Sequence, residues 1–322
     1  MTTISATVIA DSIGDHSPRL TTLLLRYPRW IHAEGRTHRV TRIGEDMEIE
    51  VRTPSPMEDP DFSRNASSSR AIPVQRLIAD LLDDPAEPLF WGANQPGMQA
   101  TAELMEDDLR HAKEAWCDGR MAAINTARRL HVAGAHKQLV NRVLEPHTHI
   151  NVVWTGTQYS NFFALRRHAD AEPHIKMLAD AMFEAMATST PNWLAPGDWH
   201  LPFVSVEDDN AVFRQFAGAD QVDPATLKRM TDACIKLSVA RCASTSYKTV
   251  DGLPMTLERA IALHDKLVAM VPLHASPCEH QAKVDAVREM TSLGPVWQRP
   301  NLGGNLGKGW VQYRKTLAGE CQ

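Results

Sequence analysis

Residues 62–73 read FSRNASSSRAIP, and residues 37–40, which lie one short segment earlier, read THRV. If the intervening residues 41–61 loop out, polar and basic side chains follow one another at short spacing: His38, Arg39, Ser63, Asn65, Ser68 and Arg70. Guanidinium, imidazole, amide and hydroxyl groups donate hydrogen bonds to phosphate and carbonyl oxygens, and those from cationic groups are the stronger ones. The pattern therefore predicts a loop that binds an anionic, oxygen-rich ligand.

The composition is that of a folded globular protein. The chain has 322 residues, 43% of them hydrophobic and 23% charged, which is enough to bury a core without disulfide bonds and unlike disordered or collagen-like chains. Its 34 basic and 39 acidic residues give a formal net charge of −5. This balance argues against a protein that general basicity holds to nucleic acid, and we expect no direct nucleic-acid binding.

Cysteine usage and the N-terminal sequence predict a cellular location. The five cysteines are widely spread and never form a Cys-x-x-Cys pair, so neither a disulfide framework nor a thiolate zinc site is indicated. The first residues, MTTISATVIADSIGDH, lack the basic and apolar regions of a secretory signal. No run approaches the roughly 20 apolar residues of a membrane span. The sequence predicts a soluble, cytoplasmic protein without membrane contact.

Two other motifs fail the tests for a phosphate loop and a metal site. The cluster GGNLGKGW at 303–310 has Leu302 and Gly309 where a P-loop needs glycine and a hydroxyl residue. The histidines of HTH at 147–149, with Glu145 nearby, lack the spaced cysteine or carboxylate partners of a metal site. We therefore predict no metal.

Hydrophobic periodicity predicts a mixed α/β (α+β) fold with long helices. HINVVWTGT at 149–157 has the composition of a strand, whereas helical spacing recurs in several longer segments. The predicted helices are 74–84, 103–133, 136–144, 160–187, 224–241 and 256–270. Since there is neither a repeat nor a clear linker, we expect one domain over 1–322. We also expect an acidic hairpin or flap at 41–61 and an irregular insertion at 192–225.

Four further segments accompany the first pattern. They are NRVLEP at 141–146, NFFALRRH at 161–168, SVARCASTSY at 238–247 and HASPCEH at 274–280. Together with 37–40 and 62–73 they resemble the flavin-dependent thymidylate synthase family, whose motifs are commonly written R-H-R-x-x-S-x-N-x-x-S-x-R, A-R-V-S-Y and H-x-[ST]-P-F-E-H. In common members the last two motifs come first. Here they follow, as in a longer, phage-like branch with permuted motif order that also carries NQPGMQA (94–100) and GWVQYRK (309–315). The resemblance implies a single family-like domain with a mixed sheet.

The resemblance also implies roles for individual residues. Flavin contacts fall on His38, Arg39, Asn65, Asn161, Ser246, His274 and Ser276. Nucleotide contacts fall on Ser68, Arg70, Arg142 and Arg166, and the catalytic group consists of Arg166, Ser68 and Arg70. The family works as a homotetramer whose active sites are shared between subunits, and we expect the same assembly here.

The activity that the resemblance implies is the reductive methylation of dUMP to dTMP, in which FAD, NADPH and methylenetetrahydrofolate serve as cofactors. No protein nucleophile is needed in the usual account. The planar guanidinium of Arg166 would stabilise charge that develops on the pyrimidine ring.

Departures from the family pattern leave the substrate open. Thr37 replaces the first arginine, Ala66 replaces a common glutamate, and Glu34 aligns near a glutamine beside the nucleotide. An ionised carboxylate only accepts hydrogen bonds, so Glu34 could prefer the amino group of cytosine over the carbonyl of uracil. We prefer dUMP. The alternatives are a methyl- or hydroxymethyl-dCMP product for modified phage DNA, or a noncatalytic nucleotide-binding protein.

The excess acidic charge lies in the segment that interrupts the first pattern. Residues 41–61 hold seven acids and two bases, so the remainder of the chain is formally neutral. A flap of this sign would repel an anionic nucleotide. We therefore expect it to pair with basic residues of a neighbouring subunit.

Overall fold

The computed structural model describes residues 4–36, 42–43, 49–50, 62–216, 223–245 and 254–320. The described strands are β1 (Ser5–Ile13), β2 (Leu20–Pro28), β3 (Arg42–Ile43), β4 (Ile49–Glu50), β5 (Phe62–Ala66), β6 (His149–Gly156), β7 (Asn192–Trp193), β8 (Trp199–His200), β9 (Ala282–Val284), β10 (Val287–Thr291), β11 (Gly294–Trp297) and β12 (Trp310–Gln312). The described helices are α1 (His32–Arg36), α2 (Val74–Asp83), α3 (Glu106–Val132), α4 (Lys137–Val140), α5 (Ser160–Arg166), α6 (Pro173–Thr188), α7 (Val206–Phe216), α8 (Pro224–Ala243) and α9 (Leu257–Val268). This mixture confirms the predicted α/β class.

A five-stranded sheet in the order β5-β6-β2-β1-β7 forms the centre of the fold. All its pairings are antiparallel except the short one between β1 and β7, so the sheet is mixed. Alternate residues of β6 face opposite sides: Trp154 packs in the cluster that includes α6, whereas Val153 packs against Cys242 of α8. Both faces are therefore buried, which explains the nearly continuous apolar run of β2.

Smaller units surround this sheet. A three-stranded sheet, β12-β9-β8, buries Ala282, Val284 and Trp310 against Leu20. Helices α2, α3 and α4 share a separate apolar cluster. Strands β10 and β11 form a hairpin. Among the described residues, every helix is too short or too polar to cross a bilayer.

The predicted helix 160–187 is wrong in one respect, because the chain forms two helices there. Helix α5 ends at Arg166, and α6 begins at Pro173. The side chain of Glu172 accepts a hydrogen bond from the Ile175 amide at 2.8 Å and so caps α6. Proline suits the first turn of a helix but not its interior, so Pro173 starts a new helix.

The prediction that 192–225 is irregular is also wrong. The region contains β7, β8 and the eleven-residue helix α7. Ser205 and Asp208 form a reciprocal capping box at the start of α7: each backbone amide donates to the other side chain, at 2.9 and 3.3 Å. The spacing S-x-x-D in SVEDD is the sequence signal that was overlooked.

Only part of the predicted hairpin at 41–61 can be compared. Residues 42–43 and 49–50 pair antiparallel as β3 and β4, as a hairpin requires. The other residues of the segment lie outside the described part of the chain.

Candidate functional site

Three segments that are distant in sequence meet at Asn65 on β5. The Asn65 amide nitrogen donates to the carbonyl oxygen of Cys242 at 2.6 Å, and the Ser276 hydroxyl donates to the Asn65 amide oxygen at 3.4 Å. These partners lie 177 and 211 residues further along the chain. The structure thus brings together the predicted flavin contacts Asn65 and Ser276 and the segment that precedes Ser246.

Strand pairing sets the direction of the Asn65 side chain. Asn65 lies opposite Val153 on β6, and residues directly opposite in an antiparallel pair point to the same face. Val153 packs against Cys242, so this face is the one that α8 covers. Asn65 therefore points to the C-terminal end of α8.

A buried ion pair fixes that end of α8. Arg241, which is 8% exposed, contacts Asp208 of α7 with two hydrogen bonds of 2.6 and 2.9 Å and also donates to the carbonyl oxygen of Phe203. Just beyond the helix, the buried Thr245 has φ of +51°, a left-handed conformation that is strained for a β-branched residue. Such strain persists only where the surrounding structure imposes it.

Arg166 and Glu34 form a second group, between α5 and α1. One terminal nitrogen of Arg166 lies 3.8 Å from a Glu34 carboxylate oxygen, and the other donates to the Glu34 backbone carbonyl at 3.3 Å. The Nε atom of Arg166 is buried and has no hydrogen-bond acceptor among the described residues. The predicted catalytic arginine and the carboxylate that departs from the family pattern are thus neighbours.

The predicted nucleotide contacts Ser68, Arg70 and Arg142 lie on two adjoining turns. The buried amide of Asn141 donates to the carbonyl of Ser69 at 2.7 Å and so joins the turns. Arg142 forms an ion pair with Glu145 at 3.1 Å, and Ser68, Arg70 and Arg142 are all exposed. Three polar side chains therefore project from one region of the surface.

Arg29 is a residue of this region that sequence reasoning did not select. Its guanidinium donates to the carbonyl of Ser67 at 3.3 Å and to the hydroxyl of Thr148 at 3.1 Å. Burial lowers the pKa of Arg29, while the nearby Glu145 carboxylate acts in the opposite direction. Only the basic residue itself, within YPRWIHAE, was visible in the sequence, and its contacts come from the fold.

His274 and Asn161 are two further predicted flavin contacts that the structure describes. His274 is exposed, and its backbone amide donates to the carbonyl of Leu267 at 3.3 Å. Asn161 lies half-buried in the first turn of α5. The predicted contacts His38, Arg39 and Ser246 lie outside the described residues.

The two histidines of 147–149 have other partners than a metal. His147 packs edge-on against Trp116, with ring centres 5.3 Å apart, and His149 contacts the Arg26 guanidinium at 2.8 Å. Burial, helped by Arg26, lowers the pKa of His149 to about 4. In the part of the chain that is described, no three His, Cys, Asp or Glu residues are grouped to hold a metal ion.

The side chains around Asn65 fit a flavin. Asn65 retains one amide hydrogen and Ser276 can still accept, so both can serve ring carbonyls and nitrogens. This donor and acceptor set is neutral, which suits the polar ring system of such a cofactor.

A separate cavity of about 540 Å³ lies elsewhere, lined by residues that include Arg19, Tyr159, Phe163 and Arg167. Ser160, Phe163, Ala164 and Arg167 follow one another at helical spacing along α5 and its C-cap. Among the predicted site residues that the structure describes, none lines this cavity.

Comparison with known proteins gives a limited result. No family model and no curated protein matches this chain. Among solved structures, a UMP/dUMP methylase PolB from Streptomyces cacaoi bound with 5-bromo-UMP is similar, at 16% identity and a TM-score of 0.44, over 58% of this chain and 90% of that one. The same enzyme bound with 5-bromo-dUMP gives 15% identity and a TM-score of 0.43, over 58% and 91%. A similarity of this size does not assign a function.

Proposed function

We propose that this protein catalyses flavin-dependent reductive methylation at C5 of a pyrimidine deoxynucleotide monophosphate, most simply of dUMP to dTMP. The observation that carries the proposal is the meeting of three motif-bearing segments at Asn65, through its bonds to Cys242 and Ser276. These segments were selected for flavin contacts from sequence alone. A chance set of motif matches gives no reason for them to share one hydrogen-bonded group.

Arg166 supplies the electrostatic part of the mechanism. It is permanently cationic, and its side chain keeps 21% of its surface exposed, so a bound pyrimidine can approach the guanidinium. A fixed positive charge beside the ring stabilises the negative charge that develops when C5 attacks the one-carbon unit. Its contacts with Glu34 hold the guanidinium before substrate binds.

Asn65 and Ser276 serve to orient the cofactor. When bound, FAD supplies hydride chemistry, with NADPH as reductant and methylenetetrahydrofolate as carbon donor. The chain's own contribution is to hold the ring with an amide and a hydroxyl whose positions are fixed by hydrogen bonds.

The exposed Ser68, Arg70 and Arg142 are assigned to the nucleotide phosphate. Their location on adjoining surface turns suits a site that a second subunit completes, and we propose the homotetramer on this ground. Arginines can meet phosphate with paired N–H donors, so two of them suffice to fix its orientation.

Glu34 favours a second candidate, the same chemistry on dCMP. Its carboxylate lies beside Arg166 and can accept a hydrogen bond from the amino group of cytosine. The product is then methyl- or hydroxymethyl-dCMP.

Turnover with mass analysis of the product tests these proposals. Purified protein is incubated with FAD, NADPH and methylenetetrahydrofolate and with either dUMP or dCMP. We expect dUMP to gain one methyl group. Faster conversion of dCMP than of dUMP would favour the cytosine reaction, and no product from either nucleotide would contradict the proposed function.

A further inference from the structure

The glycine-rich segment 303–309, which fails the phosphate-loop pattern, folds against the candidate site. Leu306 and Trp310 are buried beside β9 and anchor the segment to the core. A side chain at Gly303 would place Cβ 1.9 Å from the carbonyl oxygen of Gly307, so the tight path requires glycine there. The segment is thus a rigid support and not an open loop.

This path carries Asn305 into a closed ring of hydrogen bonds. The Asn305 amide donates to the Ser63 hydroxyl at 2.9 Å, and that hydroxyl donates to the Glu279 carbonyl oxygen at 3.1 Å. The Gln312 amide donates one hydrogen to the Asn305 amide oxygen at 2.7 Å and the other to the Glu279 carbonyl at 2.9 Å. No hydrogen is needed for two bonds at once, so all four bonds can exist together.

The ring lies at the edge of the protein interior, with two members buried and two, Asn305 and Glu279, half-buried. Ser63 is 0% exposed and Gln312 is 1% exposed. A buried polar group that loses its partner keeps the cost of desolvation, so Ser63 and Gln312 favour the closed arrangement. The ring therefore resists distortion.

Two members of the hydrogen-bond ring, Ser63 and Glu279, lie beside predicted flavin contacts. Ser63 and Asn65 are two residues apart on β5, so their side chains point to the same face. Glu279 and Ser276 belong to one four-residue 3-10 turn. The distance across the ring consequently sets the distance between Asn65 and Ser276.

We propose that Asn305 and Gln312 are positioning residues of the flavin site, and that the glycine-rich segment exists to place Asn305. This inference rests on the proposed function, because it assigns the ring a role through Asn65 and Ser276. The ring does not touch the cofactor. The hydrogen-bond ring holds β5 and the Ser276–Glu279 turn at a fixed spacing. At that spacing the side chains of Asn65 and Ser276 can contact the same flavin.

Two variants and one matched control test the inference. Asn305→Ala opens the ring, and Ser63→Ala removes one oxygen atom with little other change. Asn301→Ala, which changes an exposed asparagine in the turn just before this segment, is the control. FAD affinity is measured by quenching of flavin fluorescence, the environment of bound FAD by its visible absorption bands, and folding by thermal unfolding.

We expect Asn305→Ala and Ser63→Ala to remain folded, to bind FAD about tenfold more weakly and to shift the bands of bound FAD, as loss of a support for binding groups does. Because both act through one ring, the double variant should lose little more than either single variant. Asn301→Ala should match the wild type.

The outcomes separate the two proposals. Wild-type affinity and an unshifted spectrum in both variants would overturn the positioning role and leave the flavin site standing. If Asn305→Ala does not fold, Ser63→Ala decides the matter by the same readouts. A wild-type protein that takes up no FAD would refute the proposed function, and the positioning role would fall with it.

Discussion

Arg166 and Glu34 show what single residues contribute and how far sequence predicts it. Arg166 was selected from NFFALRRH, Glu34 from a loose match near α1, and the structure places their charged groups 3.8 Å apart. Asn305 and Arg29 could not be selected in this way. Each is one common polar residue whose partners lie far away in sequence, and only the folded chain shows its contacts.

Arg166→Ala is expected to lower kcat/KM by about a hundredfold, because a preorganised charge that stabilises the transition state is lost. The measurement is steady-state turnover of dUMP. Arg167→Ala is the matched control: Arg167 lies next in the chain, but its guanidinium pairs with Asp180 at 2.8 Å and stacks on Phe183. Equal rates for the two variants would show that Arg166 has no part in the reaction.

Glu34→Gln tests whether the carboxylate selects the base. An amide both donates and accepts, so it no longer favours the amino group of cytosine over the carbonyl of uracil. We expect the ratio of kcat/KM for dUMP over dCMP to rise about tenfold, as one hydrogen bond permits. The ratio is the readout because the loss of the contact with Arg166 affects both substrates. An unchanged ratio would mean that Glu34 does not read the base.

At the scale of elements, periodicity and capping residues predicted most helices, and tertiary context explains the failures. Helix α2 begins after Pro73 and α8 spans 224–243, close to the predicted bounds. The break before α6 and the capped helix α7 depended on local residues, Pro173 and the Ser205–Asp208 box, that apolar spacing does not reveal. The convergence of β5 with the end of α8 has no local signal, since pairing and packing create it.

The contact between α7 and α8 depends on a buried ion pair. Asp208→Asn leaves the Arg241 guanidinium buried without its counter-charge, and we expect the free energy of unfolding to fall by about 3 kcal/mol. Glu114→Gln, which breaks the exposed pair with Arg110, should change it by less than about 0.5 kcal/mol. Urea denaturation measures both. If the two variants lose similar amounts of unfolding free energy, the buried Arg241–Asp208 pair stabilises the fold no more than an exposed pair does.

At the scale of the whole molecule, a buried polar chain links the two sheets. His200 on β8 contacts Thr22 on β2 at 2.8 Å, Thr22 contacts Thr155 on β6 at 2.7 Å, and Thr155 contacts His280 at 2.8 Å. Both histidines are fully buried, which lowers the pKa of each to about 3. The His200 ring adds to the effect on His280, whereas Asp11 opposes it at His200. Both imidazoles are therefore neutral in the folded protein at neutral pH.

Stability should consequently fall on acidification. In the unfolded chain these histidines take up protons near pH 6.5, whereas the folded protein resists protonation until about pH 3. Between these values the two histidines alone make the unfolded state bind about two more protons, which contributes a drop in the free energy of unfolding of up to about 2.7 kcal/mol per pH unit. Urea denaturation at several pH values measures the slope.

His280→Asn should make that pH dependence shallower by about one proton, since one buried imidazole is removed. The matched control is His131→Asn, because His131 is exposed near the end of α3. The control should retain the wild-type slope. A wild-type profile that is flat between pH 7.5 and 5 would contradict the buried, neutral state of the pair.

The most direct test of the flavin site at Asn65 is titration of the purified protein with FAD, followed by flavin fluorescence and visible absorption. We predict uptake near one FAD per chain by the wild type and at least about tenfold weaker binding by Asn65→Ala, because the amide that bridges Cys242 and Ser276 is lost. Asn301→Ala should bind as the wild type does. A wild-type protein that remains colourless and takes up no FAD, or an Asn65→Ala variant that binds it with unchanged affinity, would contradict a flavin site at this position.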